Sequence, residues 1–273
     1  MIPLFKCRCS SLGKILGGAL GKPTEKQLAT ITELEEKAAA KGLTEKQQAT
    51  LAELILKRDN PPQLSDGAKT YCEEWLKEQI YNRRKEFSNK FTEKGTICEP
   101  EGIELVASQM NYGLIAKNEQ QFENEYITGT PDLLLPLIVE DIKNSWSVFT
   151  FPLFAPTLPN SDYFFQLQGY MWLTDRTKAA VNYCLIDAPI QIMDREARSV
   201  WFKAGYDGDI DMSCYDEVYA KMTYPEIPDT LKIKRFEFDY SAEIIEVIKE
   251  RVLLCREYIK SIIPKEVELL QAA

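Results

Sequence analysis

The sequence predicts an α/β protein, a mixed α+β sheet flanked by helices and preceded by a helical hairpin. Three observations predict it. Apolar runs of strand length recur at 122–127, 132–142, 179–187 and 231–240. Helical spacing fills the stretches around them, most clearly in the stripe Ile245, Ile248, Val252, Cys255, Ile259 and Ile262. A repeat with an offset of 20 residues lies near the start. Helices and strands that alternate in this way describe one sheet with helices packed on it.

Taken in order, Thr24-Glu25-Lys26-Gln27-Leu28-Ala29-Thr30-Ile31 recurs as Thr44-Glu45-Lys46-Gln47-Gln48-Ala49-Thr50-Leu51. Each copy opens with Thr then Glu, a helix-start pattern, and Gly42 separates them. The repeat predicts a peripheral helical hairpin over 24–58, ended by Asn60-Pro61-Pro62. A helix follows over 66–87, capped by Ser65 or Asp66, and another over 98–112. Residues 122–127 read as a strand. Residues 132–142 read as a buried strand or as a hairpin pair bent at Pro136. A proline-rich loop at 152–159 leads to a helix over 162–174, capped by Ser161. Residues 179–187 form a buried strand, and 190–230 are mixed. Residues 231–240 alternate like a strand, and a helix over 242–262 closes the series with a core-facing stripe. The division predicted is 1–65, a basic segment and hairpin, and 66–273, a single core with an insertion at 190–230.

Composition narrows the chemistry. With 273 residues, 45% hydrophobic and 27% charged, wholesale disorder is excluded. No apolar run reaches the roughly 18 residues of a spanning helix. No signal peptide is read at the N-terminus, so a cytoplasmic protein without a membrane partner is expected. Seven cysteines, odd in number and scattered, fit reduced thiols better than a disulfide framework. The chain has no histidine. Histidine general bases, Ser-His-Asp triads and histidine zinc sites are therefore excluded. A net charge of −9 argues against a nucleic-acid coat protein. The charge is uneven: residues 1–22 carry four bases and no acid, and residues 101–160 carry eight acids against Lys117 and Lys143. That pattern describes either a solvated surface or a cation pocket beside a phosphate-binding edge.

Four short features then fall in order: Gly95-Thr96-Ile97-Cys98-Glu99, Gly129-Thr130-Pro131-Asp132, Asp141-Ile142-Lys143 and Gln166-Leu167-Gln168-Gly169-Tyr170. On a strand, Asp141 and Lys143 share one face while Ile142 points into the packing. Gln166 and Tyr170 share a helix face. Two carboxylates about 4 Å apart repel by roughly 4 kcal/mol at an effective dielectric of 20. Gathering Glu99, Asp132 and Asp141 therefore requires a proton or a divalent cation among them. All-oxygen ligands favour Mg²⁺ or Mn²⁺ over zinc. A hard cation beside a lysine suits phosphodiester hydrolysis. Glu140 lies on the opposite face of the same strand, and a bulge would exchange its role with that of Asp141.

This series resembles the PD-(D/E)XK nuclease superfamily, with its restriction-endonuclease-like core. The Gln-x-x-x-Tyr helix resembles the RecB branch, and the whole set is similar to phage lambda-type (YqaJ-like) exonucleases over about 94–187 and the final strand and helix. The resemblance implies a Mg²⁺-dependent DNA exonuclease acting on linear duplex ends, 5′ to 3′, in phage-type recombination, with Mn²⁺ able to substitute. It implies Asp132, Asp141 and the Ile142 carbonyl as metal ligands, Glu99 near a second metal, Lys143 as catalytic lysine and Gln166 in support. Thr130 stands where these enzymes carry Ser. Arg8, Ser10 and Ser11 resemble the segment that holds the 5′ phosphate, and Tyr170 joins them in the substrate set. A homo-oligomer and a single-strand annealing protein as partner are implied as well. Some relatives carry an iron–sulfur cluster on four cysteines; Cys184, Cys214 and Cys255 are too widely spaced, so none is expected. A structure- or site-specific endonuclease, or an inert DNA-binding module, are the competing readings. Trp146, Phe149, Phe151 and Phe154 either stack on bases or pack the proline-rich loop. Arg83, Arg84 and Lys85 are either phosphate contacts or a solvated helix end.

Overall fold

The computed structural model describes residues 2–17, 23–59, 63–85, 89–265 and 267. Two compact units divide it: Met1–Lys6, Ser11–Arg84 and Glu246–Ala273 form the first, and Cys7–Ser10 and Lys85–Ile245 the second.

The first unit is helical. It holds α1 (Leu12–Leu16), α2 (Glu25–Lys41), α3 (Glu45–Asp59) and α4 (Asp66–Tyr81). The sequence repeat proves to be a repeat of helix caps. Thr24 accepts from the Gln27 N–H at 3.2 Å while Gln27 Oε1 accepts from the Thr24 N–H at 3.1 Å. Thr44 and Gln47 repeat the pair at 3.4 and 3.2 Å. Each box satisfies two donors that a helix start otherwise leaves open. Gly42 turns the chain between the helices at φ 76. Ile31 is buried on α2, and no residue of α3 is, so the hairpin adds little core. Asn60-Pro61-Pro62 lies outside the described residues.

Ser65 caps α4, accepting from the Ala68 N–H at 3.2 Å. The helix ends at Tyr81, six residues before the predicted 87, because Asn82 turns left-handed at φ 48. Its buried face is Ala68, Tyr71, Cys72, Trp75 and Leu76. Phe5 meets Tyr71 and Trp75 edge-on at 6.1 and 5.1 Å. The closing helix contributes buried Val252, Cys255 and Ile259 to this unit. Its Tyr258 hydroxyl donates to Glu73 at 2.7 Å, and Arg256 donates to the Phe5 carbonyl at 3.1 Å.

The second unit carries two sheets rather than the single sheet expected. The smaller has β1 (Cys7–Arg8), β2 (Phe122–Glu123) and β3 (Ile127–Gly129) in the order β1-β3-β2. The strand expected over 122–127 is thus a tight hairpin. Asn124 causes it: its side chain accepts from the Tyr126 and Ile127 N–H groups at 2.8 and 3.0 Å, an Asx turn. The larger sheet has β4 (Leu133–Leu134), β5 (Ile138–Asn144), β6 (Lys178–Cys184) and β7 (Ile233–Asp239) in that spatial order. Pro131 has no N–H for a ladder and falls where the chain leaves one sheet for the other. The hairpin alternative at Pro136 is the one observed, with Leu133 opposite Glu140.

Helices cover both faces. α5 (Lys90–Ile97), absent from the sequence prediction, precedes α6 (Glu99–Gln109). On one face, α6 packs Ile103, Leu105 and Val106 against Leu133, Ile142 and Cys184. On the other lies α7 (Ser161–Thr174), the crossover that makes β5 and β6 parallel. Asn160, not Ser161, caps α7, accepting from the Asp162 N–H at 3.0 Å. The mixed stretch 190–230 holds two helices, α8 (Ile190–Lys203) and α9 (Met212–Met222), joined through Ile192, Met193, Ala197, Val218 and Met222. The last helix, α10 (Ala242–Ile262), has the bounds the sequence predicts.

Candidate active site

The β4–β5 hairpin sets the centre of the site. Its register places Leu133 opposite Glu140, so Asp132, one residue outward, arrives beside Asp141 and Ile142. The Ile142 N–H donates to Asp132 Oδ2 at 2.7 Å. Burial raises the Asp132 carboxyl to about 8, and the neighbouring charge of Asp141 adds to it, against the pull of Lys143 and the Ile142 N–H. Two carboxylates forced together in a partly dry site thus hold a proton when no cation is present.

Strand alternation decides what each side of β5 meets. Asp141 and Lys143 face α7. Gln166 Nε2 donates to Asp141 Oδ1 at 2.9 Å and lies 2.9 Å from the Tyr170 hydroxyl oxygen. Lys143 Nζ forms an ion pair with Asp141 Oδ2 and lies 4.8 Å from the Tyr163 ring centre. Burial opposes the charge on Lys143, but attraction to Asp141 and then Asp132 outweighs it and holds the ammonium above the usual lysine range. Asp141 Oδ2 is buried and accepts no aligned hydrogen bond, which leaves it to a cationic partner.

Glu140 faces the other way. It is fully buried and meets Arg235 as a fork, at 2.8 and 2.9 Å. Asn182 and the Tyr112 hydroxyl donate to it at 2.6 Å each. No bulge exchanges it with Asp141: the pairing of β5 with β6 runs residue by residue from Ile138 to Asn144.

Glu99 is the first residue of α6 and forms an ion pair with Lys117. Gly102, one turn on, lets α6 lie close to β5. A Cβ there would meet Asn144 Oδ1 at 2.8 Å and Ile142 Cγ2 at 2.9 Å. Gly129 serves the same purpose at β3, where a Cβ would meet Tyr170 at 2.6 Å and Cys9 at 2.8 Å. Lys117 attracts Glu99 and feels the Asp132 charge, a role that 18 residues of separation hide from the sequence.

The remaining sequence candidates are spread out. Thr130 is exposed just ahead of Asp132. Arg8 stands on β1 opposite Thr128 of β3, and Ser10 is exposed. Ser11 is buried and belongs to the first unit. Tyr170 is only 4% exposed, so its hydroxyl meets Gln166 inside the protein. Of the aromatic residues, Trp146 packs on Phe91 and Phe151 on the Leu185–Tyr224 cluster, whereas Phe149 and Phe154 are 96% and 91% exposed. Arg83, Arg84 and Lys85 are exposed. Among the described residues, no three acidic or thiol side chains are drawn into a ready metal cage.

No family profile matches the chain, and no curated protein does. Solved structures do. A phage-related exonuclease from Haemophilus somnus 129PT is 27% identical, with 95% of each chain covered and a TM-score of 0.62. The chain is similar to that phage-related exonuclease along nearly its whole length. An alkaline exonuclease from Laribacter hongkongensis shares the fold at 13% identity, over 98% of this chain and 93% of that one, with a TM-score of 0.54. The same enzyme in complex with dAMP gives a TM-score of 0.56. The protein is a nuclease, and its fold is the mixed α/β fold of these exonucleases. Among the described residues, no helix of this nuclease is long and apolar enough to cross a membrane.

Proposed function

We propose that this nuclease is a Mg²⁺-dependent DNA exonuclease that hydrolyses linear duplex DNA from 5′ ends. The observation that carries the reading is the convergence of Asp132, Asp141 and Lys143 at one end of β5, with Gln166 holding Asp141. The donors suit a hard cation: two carboxylates, a backbone carbonyl and a buried Asp141 oxygen without an aligned hydrogen bond. Asp132, Asp141 and the Ile142 carbonyl would hold it, with Glu99 serving a second ion. Such an ion, when bound, acidifies water and neutralises charge on phosphate.

The chain's own residues supply the rest. Lys143 keeps its proton and stabilises the charge that develops on the phosphate oxygens. Gln166 fixes the carboxylate of Asp141, and Tyr170 backs Gln166 from within the core. Thr130, Arg8 and Ser10 are assigned to the DNA phosphates. The likeness to the Haemophilus somnus enzyme runs along nearly the whole chain and supports this reading. The alkaline exonuclease with dAMP supports it too, since deoxynucleoside monophosphates are what stepwise DNA hydrolysis releases. The reading extends to phage-type recombination in the host cytoplasm, by a homo-oligomer working with a single-strand annealing protein.

The test uses purified protein, 5′-phosphorylated labelled linear duplex, and Mg²⁺, Mn²⁺ or EDTA. Metal-dependent release of mononucleotides is expected, lost in EDTA and in Lys143→Ala. Cleavage of closed circular DNA would replace the exonuclease reading with an endonuclease. No cleavage of any DNA with either metal would leave a nuclease fold used for binding alone.

A further inference from the structure

We propose that Lys94 is a positioning residue that locks the end of the catalytic strand and thereby aims Lys143. The inference rests on the exonuclease reading above and extends it to a residue outside the site. Lys94 lies on α5 and is fully buried. Its ammonium donates to the carbonyls of Ser145 and Trp146 at 3.0 and 3.1 Å. Those carbonyls are two and three residues beyond Lys143, just where β5 has ended at Asn144.

The same stretch is tied from other sides. Asn144 Nδ2 donates to the Gly95 carbonyl, next to Lys94, at 3.1 Å. The Ser145 N–H donates to the Cys184 carbonyl of β6 at 2.8 Å. α5 and β6 therefore hold the strand end between them. Without these ties, residues past Asn144 have no ladder partner, and a strand that frays there turns the side chain of Lys143 away from Asp141.

Packing alone does not account for a lysine here. A buried ammonium is costly, and an apolar residue of the same length fills such a space as well or better. No carboxylate forms an ion pair with Lys94 among the described residues; Cys98 and Asp187 are the ionisable groups that attract its charge, and the Tyr224 ring centre is 5.9 Å away. Burial accordingly lowers its pKa to about 8. What the lysine provides that methionine lacks is a donor reaching two successive carbonyls.

The experiment compares wild type, Lys94→Met and Lys94→Gln as full chains. It measures melting temperature, kcat and KM on labelled linear duplex with Mg²⁺, and amide exchange at Ser145 and Ser147 in metal-free protein. The methionine variant is expected to melt at or above wild type. Its kcat should fall at least tenfold with KM within twofold, and the two amides should exchange at least tenfold faster. The glutamine variant, shorter and uncharged, should fall between. Wild-type kcat in either folded variant overturns the proposal, as does unchanged exchange at both amides. Should wild type itself show no hydrolysis, the exonuclease reading fails, and the exchange data alone judge the lock.

Discussion

At the scale of single residues, the site is a pair of acids forced together and a lysine that answers them. Asp132 has a folded value of about 8 against roughly 3.9 in an unfolded chain. The folded, metal-free protein therefore binds that proton more tightly. Stability from this group is fully present below about pH 4 and is lost as pH rises through 8. Asp132→Asn in EDTA should raise stability at pH 8, with the gap closing toward pH 4; denaturant melts at both pH values measure it. Gln166→Leu removes the donor to Asp141 Oδ1. It should lower kcat on the order of tenfold, through lost preorganisation, and leave the melting temperature within a few degrees. That Asp141 shares a face with Lys143, and Gln166 with Tyr170, was legible in the sequence because strand and helix periods fix which side chains point the same way. Lys117, Lys94 and Arg235 were not. They reach their partners across 18, 51 and 95 residues, and no local period encodes such contacts.

At the scale of elements, the strand β5 is a divider between two kinds of acid. Toward α7 it presents Asp141, and toward α6 it presents Glu140, neutralised by Arg235. Removing one partner of a buried pair strands the other charge, so Arg235→Met should cost about 3–5 kcal/mol, read by chemical denaturation. Glu140→Gln in the same background should recover much of that loss. Helix α6 is set by Gly102. Gly102→Ala pushes a methyl into Asn144 and Ile142, and should cost about 1–3 kcal/mol while shifting Glu99 and lowering activity. Elements with strong periodicity or paired Thr–Gln caps were readable, as α2, α3 and α10 show. Helix α5 escaped because its cap is an unusual pairing of Asn89 with Thr92. Helix α8 begins after Pro189 with no side-chain cap at all, which left its own start without a signal.

At the scale of the whole molecule, charge and topology both bear on use. A chain of net charge −9 that binds DNA must hold its bases to one side, and the basic residues among 1–22 are the sequence's own concentration of them. Deleting residues from 242 onward removes the partners of Glu73 and of the Phe5 carbonyl. Such a truncation should expose the first unit to limited proteolysis while intact protein resists. The two-sheet arrangement was not readable, since the smaller sheet depends on Cys7 and Arg8 pairing with Ile127 and Thr128, far away in the chain. That first unit is assembled from segments more than 150 residues apart in sequence. On the ribosome, its opening helices therefore wait, uncovered, until the final helix emerges. The chain is a candidate for chaperone dependence during synthesis, and a later-translated helix, not an early one, times the completion of this unit.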